Sequence, residues 1–365
     1  MPTIIDISKR TKLSIGTISN YLNNPEVVSE AARKKIKKAI DEMEYQPRAA
    51  ARTLKSKLTK QIGFVPLISP EENRSLQSGD NVFLDFLSAI NTVLTENDYG
   101  LLLHGATSQV DEIHLYQKMI GEKQVDGLIL MGTHVQDPRI EFLLEKRFPF
   151  ISFGRTTTTK NYPFVDIDGE KGISMAVEYL IQLGHTRIGY IAPPSELMCA
   201  EFRWNGYCTK FAEHHLRVDE EIIVEGGFTE NAGHFAMNVL LDKPYPPTAV
   251  IASNDLCAFG AMRALQSRGL EPGKDCSIIG FDNIRLAAHW HPALTTIAQP
   301  IRQVGFQVAR MMLDIIDKKE IINQNIIAPE LIVRQSTGSA QKDQPHLIPL
   351  SDNDSEQFPP LFRES

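Results

Sequence analysis

The sequence predicts an all-α helix-turn-helix head followed by an α/β body of parallel sheets, and three observations carry that expectation. Residues 1–24 read as two short amphipathic helices separated by a tight turn. Charge is divided: the first 60 residues hold 13 Lys and Arg against 6 Asp and Glu, a net +7, whereas the rest of the 365-residue chain carries a net −14. From Gln61 onward, short β-rich runs alternate with helical patterns, the signature of βαβ units and hence of parallel sheets. A chain this long exceeds one ordinary domain and buries a sizeable core. A basic head on an acidic body suits a nucleic-acid-binding module joined to a regulatory one.

In the head, Thr3 is the expected N-cap of the first helix, with Asp6 three residues on in a capping-box arrangement and Ile4 and Ile7 facing inward. Ser14 caps the second helix, where Ile18, Tyr21 and Leu22 form the apolar face and Ser14, Gly16, Thr17, Ser19 and Asn20 present small or amide groups outward. Such a face can approach base edges in a groove. Taken alone, a short helix pair with no nucleic acid is an equal reading; the basic residues flanking it decide for DNA. Lys12 stands in the turn between the two helices. Asn23-Asn24-Pro25 breaks the second helix, and Ser29 is expected to cap a third running to about Tyr45 with Ile36, Ala39, Ile40 and Met43 on one face. On its outer side, Arg33, Lys34, Lys35, Lys37 and Lys38 suit phosphate contact and plain solvation equally. Residues 46–60 are basic, alanine-rich and too short to bury a core, so they read as a hinge after a 1–45 domain.

In the body, strands are expected near 61–68, 99–106, 125–132, 148–154, 186–192, 222–226, 248–253 and 276–281, with helices between. Cys199, Cys208, Cys257 and Cys276 show no metal spacing, and free thiols in a reducing cytoplasm are the simplest account. The chain begins without an apolar signal region and holds no run long enough to span a bilayer, so no membrane partner and no export are expected. Enzyme readings lack support. The first strand leads into Ser69-Pro70-Glu71-Glu72 rather than a Gly-rich turn, and the 269–275 loop lacks the spacing of a phosphate-binding loop. His214-His215 and His289-Trp290-His291 have no further ligands nearby. No cofactor and no metal are expected.

Four motifs occur in order within 55 residues: T-I-x-D-I from Thr3, S-x-x-T-I-S-x-x-L-N from Ser14, V-S-E-x-x-R-x-K-I from Val28 and Y-Q-P-x-x-x-A-R-x-L-K from Tyr45. In these the chain resembles the LacI/GalR family of bacterial transcription regulators, and the resemblance extends to about Gly338. It implies a homodimer on double-stranded operator DNA, with Thr3, Ser14, Ile15, Gly16, Thr17, Ser19 and Asn20 in the head as the contacting set. It also implies hinge helices that enter the minor groove, Leu54 wedging into a base step beside Ala51 and Lys55; packing of Leu54 on the following domain is the rival reading. Ile15 and Gly16 occupy positions that vary with operator choice, and Asn20 stands where an arginine is frequent, so the operator sequence does not transfer.

For residues 61–338 the resemblance implies a periplasmic-binding-protein-like body of two parallel-sheet lobes. The chain would cross between them near 155–165, 283–296 and 320–328, with a ligand in the cleft. Ligands in open α/β sheets lie beyond the carboxyl ends of strands. Motifs at such ends carry over Asn254 and Asp282, and the R-x-x-G-[FY] motif carries over Arg203, with Trp204 placed to stack on a sugar face. Asp255 reads equally as a helix cap. Arg155, Phe83 and Asp166 are first-lobe candidates, whereas Asp168 is expected to cap the helix that begins near Gly169. Residues 339–365, with scattered charge and no leucine heptads, read as a disordered tail, which favours a dimer over a tetramer. The expected function is a cytoplasmic repressor of carbohydrate-utilisation genes under a small sugar-type effector. A purine or other metabolite is the alternative effector, and a sugar-binding protein without DNA function is the rival of a different class.

Overall fold

The computed structural model describes residues 2–45, 58–67, 81–158, 160–320, 323–341 and 361, and these separate into two compact units, one through Lys60 and one from Gln61. In the first, helix α1 spans Ile4–Thr11, α2 spans Ile15–Asn23 and α3 spans Glu30–Glu42. The capping box is present: the Thr3 hydroxyl accepts from Asp6 N and Asp6 Oδ2 accepts from Thr3 N at 2.9 Å. Hydrogen bonds donated to its carboxylate by the Thr3 hydroxyl and the Thr3 amide hold Asp6 below the usual range. Lys12 takes the left-handed conformation, φ 56°, and Ser14 Oγ accepts from Thr17 N at 3.0 Å. Ile7, Ile18 and Ile36, all fully buried, bring the three helices together with Val28, Ala39 and Tyr45.

The third helix departs from expectation at both ends. Ser29 occupies the cap position without a side-chain hydrogen bond, and the helix stops at Glu42 rather than near Tyr45. Tyr45 instead turns back into the core, its amide donating to Ile40 O at 3.1 Å. Arg33 is partly exposed and held in place, its Nε donating to Val28 O at 2.8 Å and its Nη1 pairing with Glu26 at 2.8 Å. Arg10 pairs with Glu42 at 3.0 Å and ties α1 to α3.

The second unit holds two sheets. Strands β1 (Gln61–Phe64), β2 (Gly100–Leu103), β3 (Gly127–Met131), β4 (Phe150–Phe153), β5 (Phe164–Ile167) and β11 (Gln324–Ile327) form the first, in the order β11-β5-β4-β3-β1-β2. The second contains β6 (Ile188–Ala192), β7 (Ile223–Glu225), β8 (Ala249–Ala252), β9 (Ser277–Asp282), β10 (Thr295–Ala298) and β12 (Glu330–Ile332), in the order β12-β10-β9-β8-β6-β7. Pairing is parallel except between β10 and β12. Central strands such as β6 and β8 are buried at every residue, as sheets covered by helices on both faces require, which is why they read as unbroken apolar runs.

Two crossings lie a few residues downstream of the stretches the sequence suggested and the third at the end of its stretch, because the short strands β5, β10 and β11 were hidden there. Residues 155–165 lead into β5, still in the first sheet, and the chain crosses after Ile167. Residues 283–296 lead into β10 of the second sheet, and the crossing follows Ala298 into helix Ile301–Ile316, which covers the first sheet. The third crossing joins β11 to β12 between Ile327 and Glu330. Asp166 within β5, the threonine-rich start of β10 and the half-exposed edges β11 and β12 conceal the strand pattern. The body also runs past Gly338, where a disordered tail was expected to begin. Ala340 N donates to Leu183 O at 2.9 Å, and Leu361 packs against the second-lobe core; the remaining tail residues, 342–360 and 362–365, lie outside the described residues.

Second-lobe helices cross at glycines. A Cβ on Gly206 would overlap the Glu170 carbonyl, and one on Gly260 would overlap the Glu230 carbonyl. Backbone, unlike a side-chain tip, cannot step aside. Gly260→Ala is therefore expected to lower stability by roughly 1–3 kcal/mol in urea unfolding, the range for overpacking a core; an unchanged midpoint would mean the helices separate freely.

Candidate functional site

The exposed face of α2 begins at its cap. Ser14, Ile15, Gly16 and Asn20 are exposed, Thr17 and Ser19 half-buried, while Ile18 between them is fully buried. Ile15 exposes 47 % of its surface, an apolar group of the kind that meets a thymine methyl in the major groove. Thr3 is spent otherwise: its hydroxyl hydrogen bonds Asp6 at 2.7 Å and fixes the start of α1. Ala51, Leu54 and Lys55 lie outside the described residues.

In the body, the carboxyl ends of both sheets face one cavity of about 190 Å3. The first lobe contributes Thr133 after β3, Phe153 and Arg155 at the end of β4, and Asp166 from β5; the second contributes Phe202, Arg203, Phe228, Asn254, Phe281 and Asp282, with Gln299 from the crossing after β10. Arg155 Nε donates to Asp166 Oδ2 at 2.7 Å, and its guanidinium lies 3.8 Å from the centre of the Phe202 ring, so this first-lobe cation stacks on a second-lobe aromatic. Burial pushes the Asp166 carboxyl above the usual range, opposed by Arg155.

Arg203 is 7 % exposed and reaches across the second lobe. Its Nη1 donates to Ser253 O at 2.7 Å, its plane lies 3.6 Å over Phe281, and its buried Nε has no partner among the described residues. A buried donor left unpaired is costly to the fold. Asp282 follows Phe281 with φ 114°, and its carboxylate accepts from the Gln299 amide. Asn254 lines the wall as the N-cap of helix Asp255–Ser267. Its Oδ1 accepts from Cys257 N at 2.8 Å and its Nδ2 donates to Phe228 O at 3.1 Å, so one lone pair and one hydrogen are left for a ligand.

The lobes also meet through main chain beside this cavity. Met198 N donates to Thr133 O at 2.9 Å and Val135 N to Glu196 O at 3.1 Å. The loop carrying Thr133 is held from behind by Arg139, 2 % exposed, which pairs with Asp137 at 2.6 Å and Glu112 at 2.9 Å and donates to Gly132 O at 2.8 Å.

Two sequence candidates fall outside the cavity. Trp204 is buried in the second-lobe core, stacked on Tyr207 at 5.4 Å and near Tyr190 at 6.3 Å. Each residue on a helix turns about 100°, and here Phe202 and Arg203 face the cavity while Trp204, one step further round, faces the core. Phe83 fails for the same reason: it packs on Phe64 at 5.9 Å in the first-lobe core, and the adjacent Val82 reaches the cavity. Asp168 does cap its helix, accepting from Lys171 N at 3.0 Å, and Asp255 neither caps a helix nor lines the cavity. Sequence reasoning missed Phe202, Phe228 and Gln299. Phe202 stood beside Arg203, whereas Gln299 follows a strand the pattern did not reveal.

Among the described residues no helix is long and apolar enough to cross a membrane, and no group of three or more metal-ligating side chains occurs. Comparison with known proteins matches residues 3–48 to bacterial regulatory proteins of the lacI family and residues 177–337 to a periplasmic binding protein-like domain. The HTH-type transcriptional repressor PurR of Escherichia coli O139:H28 is 34 % identical over 339 residues, 92 % of this chain and 97 % of the relative. A structure of the transcriptional regulator CelR in complex with cellobiose matches with TM-score 0.70 and 28 % identity over 92 % of this chain and 100 % of that one. The lac repressor dimer bound to operator and the anti-inducer ONPF matches with TM-score 0.81 over 93 % of this chain and 99 % of that one; at 22 % identity it speaks for the fold alone. With a three-helix head matching one profile, residues 177–337 of the body matching the other and a repressor aligned along nearly its whole length, the chain belongs to the LacI family of DNA-binding transcription repressors, which are not enzymes.

Proposed function

We propose that this repressor acts in the cytoplasm as a homodimer on a two-fold symmetric operator and is controlled by a small sugar-type effector in the cavity between its lobes, with carbohydrate-utilisation genes as targets. The observation that carries the effector reading is Arg203 stacked over Phe281 with its Nε unpaired, beside the Asp282 carboxylate. A donor and an acceptor flanking an aromatic face match the hydroxyl edge and C–H face of a pyranose. The cellobiose-bound regulator of the same fold is consistent with this class. A purine base is the second reading, favoured by the similarity to PurR and by four phenylalanines in the wall.

The head contributes the α2 face, and the hinge, residues 46–60, contributes Leu54 as a minor-groove wedge flanked by Ala51 and Lys55. Domain limits of 1–45, 46–60 and 61–338 belong to the same proposal. An effector shifts such a protein only through its differential affinity for two lobe arrangements. Contacts from both lobes to one cavity supply that difference.

Calorimetry with glucose, cellobiose, adenine and guanine tests the effector class: a sugar that binds and alters operator affinity supports the proposal, and a purine that does so replaces it. Asp282→Ala is expected to weaken that binding by about 1.5–3 kcal/mol, the range for a charged hydrogen bond, with unchanged circular dichroism. Normal binding accompanied by lost thermal stability would make Asp282 structural instead. For the head, the full chain should bind a palindromic duplex with affinity falling steeply as salt rises, through counterion release. Removal of residues 1–58 should abolish it, and a truncated body that shifts the same duplex equally well would refute the assignment.

A further inference from the structure

Asp255 is the acidic group that the cavity leaves unused. It opens helix Asp255–Ser267, is fully buried, and sends its two carboxylate oxygens in different directions. Oδ2 accepts from Ile284 N at 2.8 Å, and Oδ1 accepts from the Thr296 hydroxyl on β10. The strand β9 carries Gly280 where it passes this carboxylate, and a Cβ there would overlap Asp255 Oδ1. At the end of β9 the chain makes a turn that L-residues adopt reluctantly, Asp282 at φ 114° followed by Asn283 at φ 58°. Two groups hold its far side. Asp255 fixes the Ile284 amide, and Arg334 donates to Asn283 Oδ1 and to Leu294 O, both at 2.7 Å.

We propose that Asp255 is a positioning residue, which braces the left-handed turn at Asp282 and Asn283 and thereby sets where the Asp282 carboxylate stands in the cavity. This rests on the reading of Asp282 as an effector contact. A buried carboxylate is disfavoured unless hydrogen bonds compensate it. Here burial pushes Asp255 up to about 7, against the Thr296 and Ile284 hydrogen bonds and the charge of Arg334. Arg334 is the charged group that faces it; Gly280, Thr296, Asn283, Ile284 and Leu294, which the neighbouring elements bring around it, carry no charge.

Near neutrality the brace therefore alternates between two forms. Ionised, it gives Ile284 a charge-assisted acceptor, about twice as strong as a neutral one. Protonated on Oδ1, with the Thr296 hydroxyl turned to accept, it leaves Ile284 a neutral carbonyl oxygen. By linkage, a ligand held by Asp282 and the ionised form of Asp255 favour each other. Global stability moves the opposite way. The folded state binds this proton more tightly than the unfolded chain, so the group's contribution is complete below about 3.8 and is lost as pH rises through about 7.

Hydrogen exchange at the Ile284 amide of the full chain, corrected for the intrinsic effect of pH, tests the brace without any ligand. Protection should rise by roughly fivefold to tenfold from pH 6 to pH 8, the difference between a neutral and a charge-assisted hydrogen bond. Asp255→Asn should remove that dependence. Should this variant fail to fold, Thr296→Ala deletes a donor that favours the ionised form and should move the midpoint to higher pH. A flat wild-type profile, or a midpoint unmoved by Thr296→Ala, overturns the proposal. Calorimetry with cellobiose and with guanine as probes separates the two readings. An Asp282→Ala variant that binds a probe as tightly as the wild type overturns the effector contact alone, and a flat exchange profile overturns the brace alone.

Discussion

The guanidinium of Arg203 is the contact on which the second-lobe side of the cavity depends. It touches three segments that are distant in sequence: the Ser253 carbonyl at the end of β8, the Phe281 ring near the end of β9, and Gly169, where any side chain would press on its Cγ. A planar fork with five donors can serve backbone and aromatic face together, whereas an ammonium would serve one at a time. Its unpaired Nε is the residue of that arrangement, a donor held in place by contacts already made. Under the proposed effector reading, a ligand without a matching acceptor would leave this donor unsatisfied.

Charge is buried elsewhere under the same rule. Arg139 stands between Asp137 and Glu112 with almost no solvent access, and its further bonds to main-chain carbonyls fix the loop from which Thr133 meets the other lobe. Breaking such a pair leaves an uncompensated charge inside, so these groups keep one geometry. Asp255 obeys the rule more weakly. Its partners are neutral donors with one distant cation, and it therefore retains a proton near neutrality. The wall thus combines a rigid loop on one lobe with a titratable brace on the other.

The head reaches its structure by a different route. With six buried apolar residues at its centre among the described residues, it relies on local signals: a capping box at Thr3, a serine cap at Ser14, a left-handed turn at Lys12 and the Arg10–Glu42 ion pair that ties α1 to α3. The caps and the ion pair each contribute little and the Lys12 turn is itself a cost, so in so small a unit their balance decides whether the recognition face is presented.

The sequence by itself determined the helix-turn-helix, the division of charge and the central strands, because caps and periodic burial are local, while the cavity residues Arg203, Asp282 and Arg155 were legible through motifs the chain shares with its family. Tertiary structure decided the rest. Short edge strands β11 and β12, and strands such as β5 that carry a polar residue into the site, acquire their identity only from neighbours far along the chain. Which of two adjacent residues faces the cavity depends on how the helix is rotated against its sheet, and that rotation put Trp204 and Phe83 in the core and Phe202 and Val82 at the wall. The role of Asp255 was invisible for the same reason: its partners, Ile284 and Thr296, lie 29 and 41 residues away and meet it only where the sheet is closed.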